Sequence, residues 1–161
     1  MQVIIKNRFW TIGGSSEIKD VRGNVLYNVK GKIFSFTRKK LLQDLEGNTL
    51  YTIRNKFWHF FMKSAFIYDK DKNLVCQVKR KFSIKSKFRI LRTDKNYEIN
   101  GTVFGWNFQI LKDGVVWGIV SRNLAWTDCF SLTAPDEDIL FASALVIAMD
   151  NIIDRERNEA R

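Results

Sequence analysis

Ile139-Leu140-Phe141-Ala142-Ser143-Ala144-Leu145-Val146-Ile147-Ala148-Met149, wound as a helix, is apolar around its whole circumference except at Ser143. A helix on a protein surface carries a single apolar stripe, whereas one that is apolar all round must be enclosed by protein or by lipid. Eleven residues rise roughly 16 Å, about half of a bilayer core, and Asp150 and Asp154 close the far end. The expectation is a rod buried in protein. Pro135 ahead of Asp136, Glu137 and Asp138 suits a helix start, because proline presets φ and carboxylates favour the positive end of the dipole. The helix is expected over about 136–154, with Arg155 and Arg157 at its negative end.

What encloses the rod must come from the residues before it. Up to about residue 133, apolar and polar residues alternate in short runs punctuated by Gly, Asn and Asp, the period of strands. One motif recurs three times with constant internal spacing: Asp20-Val-Arg-Gly23-Asn24-Val-Leu26-Tyr27-Asn-Val29, Asp44-Leu-Glu-Gly47-Asn48-Thr-Leu50-Tyr51-Thr-Ile53 and Asp69-Lys-Asp-Lys72-Asn73-Leu-Val75-Cys76-Gln-Val78. Asp at the opening of a type I turn accepts backbone N–H groups, and Gly three residues later tolerates the exit conformation, so each copy predicts a hairpin turn followed by a strand. Lys72 stands in the glycine slot, where a left-handed backbone costs on the order of 1 kcal/mol, so the third turn is expected to differ in geometry. Tyr27, Tyr51 and Cys76, with their alternate neighbours, should face the core, and Leu26, Leu50 and Val75 the outside. Asp113-Gly114 between apolar runs predicts a fourth hairpin, with a two-residue turn.

Roughly a dozen strands over about 3–133 and one all-apolar helix have one economical arrangement. The sheet closes into an antiparallel barrel and the helix fills its lumen, which removes both the strand edges and the exposed apolar cylinder. At 161 residues and 45% hydrophobic content, the chain reads as one domain spanning 1–161, with no need of disulfides or metal. Cys76 and Cys129 lack metal or redox spacing and read as reduced core residues of a cytoplasmic protein. No secretory leader is expected, because the opening Met-Gln-Val-Ile-Ile turns charged at Lys6.

Four segments together resemble the LURP-one-related family of the tubby-like superfamily, which is also similar to phospholipid scramblases. They are Phe9-Trp-Thr-Ile-Gly13-Gly14, the D-x-x-G-N-x-L-Y-x-V repeats, Gly101-Thr-Val-Phe-Gly105-Trp106-Asn-Phe108 and Ala144-Leu-Val-Ile-Ala-Met-Asp150. The resemblance covers nearly the whole chain and implies a twelve-stranded barrel around a central C-terminal helix. It also raises the expectation of anionic lipid head groups, since tubby proteins bind phosphoinositides and scramblases act at membranes. It transfers no site residue.

The residues themselves offer little for catalysis. His59, the sole histidine, sits in Phe57-Trp58-His59-Phe60-Phe61 with no nucleophile placed beside it, and reads as a strand residue. Asp69-Lys-Asp71-Lys-Asn73 imitates the start of a calcium loop but lacks its glycine and its final glutamate. Gly13-Gly14 lacks the lysine and helix of a phosphate cradle, and Gly101 and Gly105 suggest tight packing. A non-enzymatic module without cofactor or metal is expected.

Charge is the compositional outlier, with 27 Lys and Arg against 17 Asp and Glu giving +10, a balance that favours polyanionic partners. It concentrates in Lys79-Arg80-Lys81-Phe82-Ser83-Ile84-Lys85-Ser86-Lys87-Phe88-Arg89-Ile90-Leu91-Arg92. There a period of two separates Phe82, Ile84, Phe88 and Ile90 from Lys79, Lys81, Lys85, Lys87 and Arg89. Those cations, with Arg92 and with Arg38, Lys39 and Lys40, are the candidate contacts for an anionic membrane surface or phospholipid head groups. A protein-interaction or scaffold domain is the alternative. Nonspecific nucleic-acid binding ranks third, because the aromatics alternate inward instead of standing free to stack on bases. The expected location is cytoplasmic, peripheral at the membrane.

Overall fold

The computed structural model describes residues 1–6, 15–31, 37–56, 63–81, 87–103, 105–122 and 129–159, with the backbone path alone for residues 81, 87 and 154–159. Phe9 to Gly14, His59 with its aromatic neighbours, and Phe82, Ile84 and Lys85 lie outside the described residues, as do the side chains of Arg155 and Arg157.

Twelve strands follow in chain order: β1 (Gln2–Lys6), β2 (Ser15–Asp20), β3 (Val25–Gly31), β4 (Lys40–Gln43), β5 (Thr49–Asn55), β6 (Ser64–Tyr68), β7 (Leu74–Lys81), β8 (Lys87–Leu91), β9 (Tyr97–Thr102), β10 (Asn107–Lys112), β11 (Val115–Arg122) and β12 (Cys129–Thr133). The long basic segment is therefore the end of one strand and the whole of the next. All twelve form one antiparallel sheet in the order β8-β7-β6-β5-β4-β3-β2-β1-β12-β11-β10-β9. β1 pairs with both β2 and β12, placing Ile5 opposite Ile18 on one side and Phe130 on the other. That junction curls the meander into a nearly closed barrel.

Asp136–Asp138 forms a 3-10 turn, and α1 (Ile139–Glu159) follows it, starting later and ending later than expected. The acidic triplet is used as a clamp in place of a first helical turn. Asp138 Oδ2 accepts from Trp117 Nε1 at 2.6 Å and lies 3.4 Å from Lys112 Nζ, while Asp136 pairs with the N-terminal ammonium of Met1. From Ala142 to Ile153 every helical residue is at most 1% exposed, and Ser143 satisfies its hydroxyl by donating to Ile139 O at 2.7 Å. The wall supplies Val3, Ile5, Ile18, Val29, Leu42, Ile53, Ile67 and Val78, likewise at most 1% exposed. Each large aliphatic side chain so enclosed contributes about 1.5–3 kcal/mol. Phe141 meets the rings of Tyr51, Tyr97 and Trp117, all with centroids 6.1 Å away. Burial, with nearby carboxylates adding to it, pushes the Tyr97 phenol up to about 12.

The repeats form hairpin turns as expected. Asp20 Oδ1 accepts the N–H groups of Arg22 and Asn24 at 2.8 and 2.9 Å, and Asn24 Nδ2 donates to Oδ2 at 2.8 Å. Asp44 with Asn48, and Asp69 with Asn73, repeat the arrangement. The third turn does not differ in geometry: Lys72 adopts φ 67° where Gly23 and Gly47 have 91° and 89°, and its N–H donates to Asp69 O as theirs do to Asp20 and Asp44. The aspartate–asparagine bonds hold the lysine in a strained conformation.

The faces of the repeat strands also differ from the expected ones. Register slips between Ile18 and Lys19, Leu42 and Gln43, and Ile67 and Tyr68, leaving Leu26, Leu50 and Val75 as bulge residues. A bulge sets two residues against one and bends the strand. Leu26 and Val75, expected to face outward, therefore pack against the core, Leu26 beside Tyr27. Val29, Ile53, Cys76 and Val78 face inward as the alternation requires. Gly101, at φ 118°, lets its strand close on the next one, because a Cβ there would lie 2.7 Å from Asn107 O. The Asp113-Gly114 turn has both residues at positive φ, 52° and 83°, as a two-residue hairpin demands.

Lys72→Gly relieves the left-handed lysine and should raise stability by about 1 kcal/mol, read as a shift of about 2–4 °C in thermal melting. The turn carboxylates add a pH dependence. Asn24 and Asn48 side chains hold Asp20 and Asp44 below the usual 3.8. Asp69 is also lowered, slight desolvation being outweighed by the Asn73 backbone and side chain. A folded pKa below the unfolded one gives stabilisation that is complete above the unfolded value and lost as pH falls through the folded one. The melting temperature of the wild type should therefore exceed that of D20N/D44N/D69N at about pH 5 and converge on it near pH 2.

Candidate anion-binding end of the barrel

Because consecutive strands run in opposite directions, the barrel has two distinct ends. The three Asp–Asn turns, Asp113-Gly114 and the 3-10 turn lie at one, which we call the turn end. The other end is formed by the last residues of odd-numbered strands and the first of even-numbered ones up to β8, and it receives the later half of α1. Carboxylates gather at the turn end: Asp20, Asp44, Glu46, Asp69, Asp71, Asp94, Glu98, Asp113 and the triplet 136–138. At the opposite end Asp150 is the carboxylate whose side chain is described, 1% exposed, and Asp154, Glu156 and Glu159 follow it along the last turns of α1. Around Asp150 stand Lys6, Lys30, Arg38, Lys39, Lys56, Lys63, Lys79, Arg80, Arg89 and Arg122, with Lys81 and Lys87 at strand termini.

The candidate cations divide on this frame. Lys79 lies directly across from Arg89, and Lys81 across from Lys87, in the β7–β8 ladder. Like charges facing each other across strands are destabilising, so the ladder carries a positive field that an anion relieves. Phe88 and Ile90 turn inward, 4% and 6% exposed, and Arg89 outward, as period two requires. Arg38 and Lys39 join this end. Arg92 does not: it follows β8, exposed, at the turn end.

Lys40 is also withdrawn, being 8% exposed with its Nζ 3.4 Å from Asp150 Oδ2. It serves the helix. Beside that pair, Asn151 Nδ2 donates to Arg38 O at 2.8 Å and Asn55 Nδ2 donates to Asn151 O at 3.0 Å, tying the buried rod to the chain just ahead of β4 and to β5 through polar bonds of defined length. Arg80, placed inward by its register opposite Phe88, has its guanidinium pKa lowered by burial.

Lys6, Lys30, Lys56, Lys63 and Arg122 were not singled out in the sequence because they are scattered along it. One signal marks them: each lies a strand length or more from the nearest turn, where an up-and-down meander places the end opposite the turns. For covalent chemistry the thiols offer nothing. Both are buried, and burial pushes Cys76 up to about 12, leaving it protonated. The Asp69 carboxylate is occupied by its own turn, and no cluster of metal-ligating side chains occurs among the described residues.

A twelve-stranded antiparallel meander curled around one C-terminal helix defines the tubby-like class of barrel. A protein of Arabidopsis thaliana solved by X-ray crystallography shares the fold with a TM-score of 0.66 over 94% of this chain and 91% of that one, at 18% identity. The LURP-one-related family model matches residues 1–150, and the chain belongs to that family. It is also 25% identical over 159 residues to the uncharacterized protein YxjI of Bacillus subtilis strain 168, covering 97% of this chain and 81% of that protein.

Asp150→Ala leaves the Lys40 ammonium buried without its carboxylate and should cost about 3–5 kcal/mol in urea unfolding. K40M/D150L, which removes both charges, should recover most of that loss.

Proposed function

We propose that the protein is a non-enzymatic binding module that sets the basic end of its barrel onto an anionic membrane surface, with phospholipid head groups as the ligands. The observation that carries this reading is the uneven charge along the barrel axis: exposed or half-exposed cations outnumber carboxylates at one end, whereas at the turn end the carboxylates outnumber cations such as Arg22, Lys70, Lys72, Arg92 and Lys95. A net charge of +10 spread evenly would only aid solubility, whereas cations collected on one end give a flat array that a plane of phosphates meets at many points. Each basic residue near such a surface contributes about 1 kcal/mol, so four or five hold the domain weakly and reversibly. A cytoplasmic, peripheral protein fits this chemistry and its two buried thiols. No described helix is long and apolar enough to cross a membrane.

Flotation with vesicles of phosphatidylcholine alone and of phosphatidylcholine with phosphatidylserine tests the reading. The protein should float with the anionic vesicles at low salt, and less as salt shortens the screening length to about 10 Å near 0.1 M. K79A/R89A should weaken that binding about 30-fold, the equivalent of two contacts. Arg92→Ala, at the turn end, should leave it unchanged. Equal recovery with neutral and anionic vesicles would rule out the anionic head groups as ligands, and recovery with neither would rule out the membrane.

A further inference from the structure

Every pair of strands adjacent in the chain shares a ladder except β8 and β9, which are the two edges of the sheet. No backbone hydrogen bond among the described residues links them, so β8 is held in the wall by its ladder to β7. The other edge has a second anchor. Asn96, just ahead of β9, accepts from Asp113 N at 2.7 Å and donates its own N–H to Asp113 Oδ1 at 3.0 Å, which fixes that strand to the β10–β11 turn.

The ladder that holds β8 is weakened by its own charges. Lys79 lies across from Arg89, and Lys81 across from Lys87, and like charges directly opposite each other on a sheet are destabilising. Neither Lys79 nor Arg89 has an ion pair among the described residues, and Glu98 lines the same cleft as Arg89 without pairing with it. Arg92 adds backbone strain where the chain leaves β8, because its φ of 60° falls in the left-handed region that disfavours residues other than glycine. Against these stand Phe88 and Ile90, 4% and 6% exposed, which seat the strand on the core beside a cleft of about 540 Å³ between the two edges.

We infer that β8 is a strap that swings out of the barrel wall and back, and that anions bound along Lys79 and Arg89 draw it closed. In the open state the two cations separate, and Phe88 and Ile90 reach water. An anion held between Lys79 and Arg89 replaces their repulsion with a bridge that exists only while the strands are paired. It therefore binds the closed strand better and shifts the population toward it. Closure by anions rests on the basic end being an anion site. The lability of the strand does not, and it is tested without lipid.

Amide hydrogen exchange on the full chain at low salt, followed at the amides bonded between β7 and β8, provides the test. These amides should exchange about tenfold or more faster than those bonded between β4 and β5. Lys79→Glu, which sets opposite charges across the ladder, should slow them about fivefold, whereas Lys30→Glu, at the same end on β3, should leave them unchanged. Millimolar pyrophosphate should slow them in the wild type beyond sodium chloride of equal ionic strength. Exchange as slow as in β4–β5, no slowing by Lys79→Glu, or equal slowing by Lys30→Glu would overturn the strap. No added slowing by pyrophosphate would overturn its closure by anions, and would leave untouched the flotation result, which reads docking alone.

Discussion

Enclosure of the apolar helix is the constraint on which the rest of the structure depends. α1 has no face that tolerates water between Ala142 and Ile153, where no residue is more than 1% exposed. A flat sheet would cover only one side of it. The strands must therefore curl until β1 meets β12, and the barrel in turn requires the helix, because twelve strands enclose more space than their own inward side chains fill. Ala142, Ala144 and Ala148 keep the rod slender, while Leu145, Ile147, Met149 and Ile152 reach the wall. Wall and helix bury each other's apolar surface, so closure of the wall and burial of the helix are coupled.

The same enclosure explains where polar groups enter the interior. A smooth greasy rod could slide or rotate in its sleeve with little change in buried area, since hydrophobic burial is nondirectional. Hydrogen bonds and ion pairs have a fixed geometry and prevent this at both ends. Asp138 binds Trp117 and Lys112 at the turn end. Asp150 and Asn151 bind Lys40 and β4–β5 at the other. Lys40 shows how a cation counted in a sequence can be absent from the surface: its charge is used to seat the helix.

The hairpin turns shape the outer electrostatics as a by-product. Each Asp–Asn turn needs a carboxylate at its tip to satisfy backbone N–H groups, so the turn end accumulates negative charge for structural reasons. The strand ends opposite have no such requirement and carry lysines and arginines, leaving the molecule polarised along its axis. The interruption of the ladder at β8 and β9 likewise has a local origin, because Asn96 is engaged by Asp113.

Much of the architecture is legible in the sequence. The turns, their spacing and the dozen strands follow from local chemistry: aspartate accepting N–H bonds, glycine at positive φ, and side chains alternating with period two. The need for a closed wall followed from the helix composition. Local rules misplaced Leu26 and Val75, because a bulge depends on how two strands meet. They also anticipated relaxation at Lys72, where cross-turn hydrogen bonds from Asn73 outweigh the backbone preference.

The candidate site was only half legible: Lys79 and Arg89 were visible as a run, but Lys6, Lys30, Lys56, Lys63 and Arg122 are scattered along the chain and share an end only when the meander is folded. By itself the sequence determined the element types, the number of hairpins and the burial of one rod, all of which are set by interactions between near neighbours. Only the tertiary structure decided which charges share an end, which lysine is buried and where the ladder stays open, because those depend on strand direction and register, quantities that no local stretch contains.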